Sequence, residues 1–439
     1  MSQVNKLLMN IAVPVRLKLM NKILSRSHWH AEQIRDYQTE KLKHIIKYCW
    51  EYVPFYQKHW ADAGIDPLQI NTIEQLCQLP LLTKADVRNE LESLTTTKLG
   101  VKYSEARTGG STGSPVIFRM TKFDEEMSWA QMYVGWTKAG YSVGDPFLIV
   151  GGESVGAGLS DNRTWKDKII NRWVTSGSNL TLDRAGFLAQ SPHFHKIRMI
   201  YGYPSAIHQL GEFLNELGTK PQTLKGIICT AEVLRPEIRN RIEQLYGVKA
   251  LDQYGLNDGG LHACEGPEQQ GLHLSFHRGV LEVIDDDGNQ VWKPGETGRA
   301  IATCFTNSAM PFIRYETGDR LHWLENDQRG FECKWPRLGP IDGRTGDIIK
   351  LPSGKVITMP GLTLVMRWLN GLHRYQFIQR TQDEIDVVLD VGRDFTKSKG
   401  ELIQYFGDKI SAEIRWNVIF GKPELTKNGK LLIVVNKLR

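Results

Sequence analysis

This 439-residue chain is short of several things, and each shortage removes a class of function. It has no long apolar run, so no segment reads as a bilayer-spanning helix. Its six cysteines (Cys49, Cys77, Cys229, Cys264, Cys304 and Cys333) are far apart and lack CxxC spacing. That excludes a disulfide framework and a compact zinc finger, and suggests reduced thiols in a cytoplasmic protein. Charge of one sign is also lacking. The 55 basic residues nearly balance 49 acidic ones and are dispersed, which argues against a nucleic-acid binder. Internal repeats and low-complexity tracts are absent as well, so a solenoid is excluded.

The length suffices for two or three domains with a sizeable core. Near the N-terminus, bases from Lys6 to Lys22 alternate with Ile11, Val13, Val15, Leu17 and Leu19. The bases interrupt any signal-peptide core and no small-residue cleavage site follows. Such a segment either packs as a helix on its own domain, the commoner use of an apolar stripe, or makes peripheral contact with an anionic membrane.

What the chain does have is a dense polar loop. Thr108, Gly109, Gly110, Ser111, Thr112 and Gly113 precede Ser114-Pro115 and an apolar Val116-Ile117-Phe118 strand. Glycines let consecutive N–H groups converge, and hydroxyls add donors, which suits a polyanion such as a triphosphate. The loop is not a P-loop: Gly109 to Gly113 is one residue short and no lysine follows.

Apolar periodicity predicts a mainly helical stretch over 1–100, with the helix through Glu40–Tyr48 ending at Val53-Pro54 and Thr83 capping another. Strands are expected at 146–152, 199–202, 224–230 and 248–254, with helices at 125–139, 206–217 and 236–246 between them. This alternation predicts an α/β domain with a largely parallel sheet, whose ligands bind beyond the carboxyl ends of the strands. A small β-rich subdomain is expected over 271–305. The end of the chain reads as a compact α+β domain, with strands at 384–389 and 431–435 and a helix near 397–406. The division expected is a large domain made of a helical segment (residues 1–100) and a binding core (residues 101–342), followed by a small lid (residues 343–439).

Four further stretches complete the pattern: Asp252-Gln253-Tyr254-Gly255-Leu256-Asn257-Asp258, Met310 to Asp319, Gly343-Arg344-Thr345-Gly346-Asp347, and Leu425 to Lys430. With the glycine loop, in this order, the chain resembles the adenylate-forming superfamily of acyl-CoA synthetases, adenylation domains and luciferases. Val53-Pro54-Phe55-Tyr56, Leu79-Pro80 to Lys84, Gly202-Tyr203-Pro204-Ser205 and Ile313-Arg314-Tyr315 resemble its phenylacetate–CoA ligase branch. That branch includes the CapK-type proteins found with capsule polysaccharide genes.

The resemblance implies an α/β large domain joined to a mobile C-terminal α+β domain, and an enzyme that uses ATP and magnesium. A carboxylate attacks the α-phosphorus of ATP, pyrophosphate leaves, and an acceptor displaces AMP. Positioning and charge neutralisation dominate such chemistry. By the same resemblance, Thr108 to Gly113 hold the β- and γ-phosphates, Ala231 and Glu232 line the adenine, and Tyr254 stacks on it, with Asp252 and Gly255 in the same nucleotide site. Asp319 binds the ribose hydroxyls and Arg344 the sugar or phosphates. Lys430 is the adenylation lysine, and Asp347 the hinge between half-reactions.

Two departures from the family pattern stand out. Val116 occupies a place where relatives often carry lysine. Asn257 and Asp258 replace threonine and glutamate, although Asp258 remains a hard oxygen ligand for magnesium. Gly151, Tyr203, Ser205 and Gly259 are assigned to the acyl pocket. His262, Cys264, His273 and Cys304 form a further candidate group for zinc, without finger spacing. The acceptor is CoA or an amine, for instance on an amino sugar in surface polysaccharide assembly. A nucleotide-binding scaffold on the same fold is the contrasting reading. Retention of Asp319, Arg344 and Lys430 together argues against it.

Overall fold

A computed structural model describes residues 8–107, 116–152, 163–177, 180–325, 333–341, 343–344, 348–354, 356–358, 362, 365–366, 369, 371–392, 395–426 and 429–438. Its centre is an eight-stranded sheet. From one edge the order is Arg337–Leu338, Leu272–Leu274, Leu261–Glu265, Ala250–Leu256, Gly226–Thr230, Met199–Gly202, Phe147–Gly151 and Arg172–Ser176. The last five run parallel, whereas the pairings from Ala250–Leu256 outward to Arg337–Leu338 are antiparallel. The inner parallel strands are buried along their length, as in Gly226–Thr230 and Met199–Gly202. All five residues of Phe147–Gly151 are buried. Gly202 has no room for a side chain, since a Cβ there would lie 1.8 Å from the Val150 carbonyl oxygen of the neighbouring strand.

Periodicity anticipated four of the five parallel strands and three of the helices around them; Arg172–Ser176 falls outside the expected set. The helix expected at 236–246 is Pro236–Tyr246, with proline in its first turn and Gly247 closing it at φ +73°. The helix expected at 125–139 begins earlier, at Lys122, because Thr121 accepts from the Asp124 N–H as its N-cap. Thr83 caps its helix as expected, in a reciprocal box with Asp86. At Val53 the helix Ala31–Tyr52 does end, but Pro54 then opens the helix Pro54–Asp62. A proline that stops one helix is equally suited to the first turn of the next.

The N-terminal helix Pro14–Leu24 lies against Lys122–Lys138, burying Arg16, Leu17, Met20 and Ile23. Arg16 meets Glu126 at 3.0 Å in this interface. Leu17, Met20 and Ile23 are therefore core, whereas Ile11 and Val15 of the expected apolar set are exposed. No helix among the described residues is long and apolar enough to cross a membrane.

The β-rich region is a four-stranded antiparallel sheet, Gly279–Ile284, Gly298–Cys304, Tyr315–Leu321 and Gly343–Arg344. It extends beyond the expected 271–305. Three of the four phenylacetate-ligase-like segments meet here, while Gly202-Tyr203-Pro204-Ser205 lies at the central sheet. The Tyr56 hydroxyl donates to the Pro311 carbonyl at 2.8 Å and accepts from the Ile313 N–H at 2.9 Å. Arg314, at φ +51°, donates to the carbonyls of Cys77 (3.1 Å) and Leu79 (2.5 Å) and to Glu282 (3.1 Å). The backbones of Leu82, Arg314 and Glu316 also pair. Three segments far apart in sequence thus form one latch between the N-terminal helices and the second sheet.

The C-terminal region has its own core around Phe377, Leu402, Phe406 and Trp416. Its sheet runs Arg415–Phe420, Glu384–Val391, Leu372–Gln379, Val434–Asn436, and the helix Lys399–Lys409 packs on Arg415–Phe420. Two of these strands, Leu372–Gln379 and Arg415–Phe420, fall outside the expected set.

The most buried ion pair joins Arg278 to Asp124. Nε and one Nη reach the two carboxylate oxygens at 2.8 and 2.6 Å, with both side chains about 1% exposed. Arg278 also donates to the Asn257 carbonyl at 2.6 Å, and Thr306 donates to Asp124. Removing one partner of such a pair strands the other charge in the interior. Asp124→Ala should therefore destabilise the fold by about 3–5 kcal/mol, read as a lowered midpoint in urea unfolding. A loss below about 1 kcal/mol would show that water reaches Arg278.

Candidate active site

The carboxyl edge of the parallel strands and the C-terminal region enclose a cleft of about 1100 Å³ that opens to solvent. Ser205, Ala231, Glu232, Asp252, Tyr254, Gly255, Asp319 and Lys430 all line it. The chain from Ser205 to Lys430 is more than half the protein, so only folding brings these side chains together.

Each is placed by a specific local cause. Ala231 and Glu232 follow the strand Gly226–Thr230, and Ala231 is held at φ +65°, a left-handed conformation that non-glycine residues seldom adopt. The turn directs the Glu232 carboxylate inward. One of its oxygens accepts from the Ser205 N–H at 3.1 Å and the other from the Leu431 N–H at 2.7 Å. Glu232 thereby bridges the central sheet to the loop that carries Lys430. Burial raises its pKa, against the lowering effect of these N–H groups and of the nearby Lys430 ammonium. The carboxylate expected to line the adenine is thus also a tie across the cleft.

Tyr254 and Asp319, assigned separately to base and ribose, are joined directly: the phenol donates to the carboxylate at 2.9 Å. The Asp319 N–H donates to the Thr317 hydroxyl at 3.0 Å, which holds the turn. Arg344 is the backbone partner of Asp319 across adjacent strands; its side chain lies outside the described residues, as do Thr108 to Gly113 and Asp347.

Asn257 and Asp258 sit at the end of the strand Ala250–Leu256. The Asn257 side-chain oxygen accepts from Ser128 at 3.0 Å. Asp258 is buried, and burial pushes its carboxyl above the usual range. The nearby Asp319 charge adds to this, while the Tyr315 hydroxyl and the Lys84 charge oppose it. A buried hard-oxygen donor of this kind fits a magnesium ion, whose charge would favour the ionised form.

The acyl-pocket residues are placed less uniformly. Ser205 lines the cleft, and Gly151 ends a strand at the same sheet edge. Tyr203 is fully buried beneath that edge, and Gly259 is packed so tightly that a Cβ would lie 2.2 Å from Leu256. Neither offers a side chain to the cleft.

The zinc candidates are not gathered. Among the described residues no three His, Cys, Asp or Glu side chains form a metal-sized group. Cys264 and His273 are register partners on adjacent strands, and His273 is bound to Glu268 at 2.7 Å. His262 packs beside Cys264 near Gly135, whereas Cys304 lies on the second sheet near Asp124 and Thr306. All four are buried, and they behave as core side chains. The six cysteines are free thiols.

Sequence reasoning missed Arg235 and Arg374, which also line the cleft. Arg235 lies 4.4 Å over the Tyr375 ring, and Arg374 reaches Gln209 at 3.2 Å, so both join its two sides. Arg235 stands three residues after Glu232, a proximity that could have flagged it. Arg374 lies in an unexpected strand and carried no signal.

Asp252 has the most informative titration in the cleft. Burial and the adjacent Glu265 push its carboxyl up to about 7, with Arg239 opposing. The folded state therefore holds this proton more tightly than the unfolded chain. Stability from it is fully present below about pH 4 and is lost as pH rises to about 7. Asp252→Asn should flatten that slope. Melting temperatures across the weakly acidic to neutral range should show the variant gaining on the parent as pH rises; parallel curves would contradict the shift.

No family model matches the chain. Phenylacetate-coenzyme A ligase of Thermus thermophilus is 26% identical over 390 residues, 84% of each chain. Protein CapK of Staphylococcus aureus is 24% identical over 98% of this chain and 97% of its own. Among solved structures, 2-hydroxyisobutyryl-CoA ligase in its postadenylation state, with 2-HIB-AMP, superposes with a TM-score of 0.75 at 18% identity, over 94% of this chain and 92% of that one. The same enzyme in its thioesterification state superposes less well, at 0.60 over 94% and 91%. The relatives are those that the motifs resemble, phenylacetate–CoA ligases and CapK of the adenylate-forming superfamily, and the solved structures share the fold of this chain.

Proposed function

We propose that the protein is an ATP-dependent ligase that converts a carboxylic acid to an acyl-adenylate, releasing pyrophosphate, and passes the acyl group to CoA. The observation that carries this reading is the presence of Lys430 in the same cleft as Tyr254 and Asp319, held there by the Glu232–Leu431 contact. Tyr254 and Asp319 suit a base and a ribose. Lys430 suits the charge that develops on phosphorus. Asp258 would hold magnesium, which supplies charge neutralisation for the phosphates, and Asn257 would donate a hydrogen bond to a phosphate. Thr108 to Gly113 would hold the β- and γ-phosphates, Arg344 the sugar or phosphates, and Asp347 would act as the hinge. Phenylacetate-CoA and 2-hydroxyisobutyryl-CoA ligases among the similar proteins favour CoA as acceptor.

An amine acceptor in surface polysaccharide assembly is the second reading. It is favoured by the match to CapK over nearly the full length of both chains.

The decisive experiment is pyrophosphate release from ATP and magnesium across a panel of carboxylic acids, with and without CoA. One acid or a related group should stimulate release, and Lys430→Ala should lower the rate by about a hundredfold or more while AMP binding changes little. Failure of every acid to stimulate release, with AMP still bound, would favour the scaffold reading. Equal rates in the variant would remove Lys430 from the chemistry.

A further inference from the structure

A second cavity, of about 1190 Å³ including its open mouth, lies away from the nucleotide cleft. Helices Pro14–Leu24 and Ala31–Tyr52 form one side, and the start of Lys122–Lys138 with the segment after Gly298–Cys304 forms the other. Four cationic residues line it, namely Lys22, Arg26, Lys41 and Lys98, together with His44 and His277, and among the described residues no carboxylate does. The exposed Glu40, 2.9 Å from Lys41, is the nearby acid. Arg26 lies 4.8 Å over the Tyr37 ring and Lys98 5.3 Å over Tyr48. Aromatic faces thus hold two of the cations around the opening. Like charges gathered in a concavity focus a positive potential, which lysines scattered over a convex surface do not.

The wall contains a second, independent pointer. His277 is 1% exposed, and its Nε2 has no hydrogen-bond partner among the described residues. Its Nδ1 lies 3.2 Å from the Ser275 hydroxyl, which itself accepts from Gln131 Nε2 at 2.8 Å. The Ser275 hydroxyl keeps a proton and a second lone pair, so it can meet Nδ1 in either neutral tautomer, and the tautomer that pairs Ser275 as donor leaves the ring proton on Nε2. Burial and the charges of Arg26 and Lys22 pull the imidazole pKa down to about 3, so the ring is neutral. A buried imidazole nitrogen beside a cluster of cations lacks a partner, and in the Nε2–H tautomer an anion would supply the acceptor.

We propose that this cavity is a second anion site, which takes the phosphate group of a phosphorylated small molecule, with Lys22, Arg26 and Lys41 as counter-charges and His277 as a donor. The half-exposed Phe123 at the cavity offers a face for a planar ring on the same ligand. Thr306, also in the lining, donates to Asp124, which holds Arg278 and through it the Asn257 carbonyl. The site is therefore one hydrogen-bonded chain away from the nucleotide cleft. Two sources carry this chemistry: the 3′-phosphate end of CoA, or a free phosphorylated metabolite.

The test is calorimetric titration of the full chain with 3′-phosphoadenosine 5′-phosphate, with AMP present in excess to occupy the nucleotide cleft. Saturable one-site binding is expected. The Lys22→Ala/Lys41→Ala double variant should weaken it by about tenfold or more and His277→Phe severalfold, each with an unchanged near-ultraviolet spectrum. Lys430→Ala, which tests the cleft, should bind the probe as the parent does, so failure of the ligase reading would leave this result standing. Absence of saturable binding, or equal affinity in the double variant, would overturn the proposal. Displacement by CoA but not dephospho-CoA would identify the CoA 3′-phosphate; displacement by inorganic phosphate as readily as by CoA would identify a free phosphate ligand.

Discussion

The Arg278–Asp124 pair is the contact on which the arrangement of this protein most depends. It lies where the central sheet, the helix Lys122–Lys138 and the second sheet converge, almost wholly out of water. A buried charge is tolerable only when fully paired and hydrogen-bonded, so the pair constrains every group around it. Arg278 directs a further hydrogen bond to the Asn257 carbonyl, and Asp124 accepts from Thr306. The first fixes the loop carrying Asp258, and the second fixes the wall of the basic cavity. One ion pair therefore positions two sites.

A second layer of constraint acts across the cleft. Glu232 satisfies two backbone N–H groups that lie on opposite sides of it. Arg235 and Arg374 add contacts across the same boundary. These contacts are few and polar, and domain boundaries of that kind allow relative motion. Any rotation of the C-terminal region must give up the Leu431 contact to Glu232, which would leave a partly buried carboxylate with one N–H partner fewer. The cost of that exchange bears directly on how readily Lys430 leaves the cleft.

The latch formed by Tyr56, Leu79 and Arg314 is structural in a different sense. Its residues carried the resemblance to the phenylacetate–CoA ligase branch, yet none of the three lines the cleft. Their hydroxyl and guanidinium satisfy buried backbone carbonyls that no regular ladder reaches. Arg314 sits in a left-handed conformation to do so, and the neighbouring Tyr315 faces Asp258. The motif thus supports the site from behind.

Local sequence determined the elements themselves. Short apolar runs specified four of the five parallel strands, all but Arg172–Ser176, and Thr83, Pro236 and Gly247 specified helix ends, because capping and left-handed turns depend on residues only a few positions apart. The order of the motifs was also enough to name Tyr254, Asp319 and Lys430 as partners. Tertiary structure alone decided the rest. The strand Leu372–Gln379, with its polar Arg374 and Gln376 buried, follows from pairing with sequence-distant neighbours, and its alternation is correspondingly weak. Separation of Cys304 from Cys264 and His273 depended on which sheet each strand joined. The unpaired His277 Nε2 beside Lys22 and Arg26 likewise required the N-terminal helices to be docked. Contacts between segments far apart in the chain have no local signature, since their free energy comes from burial that exists only once the chain has closed on itself.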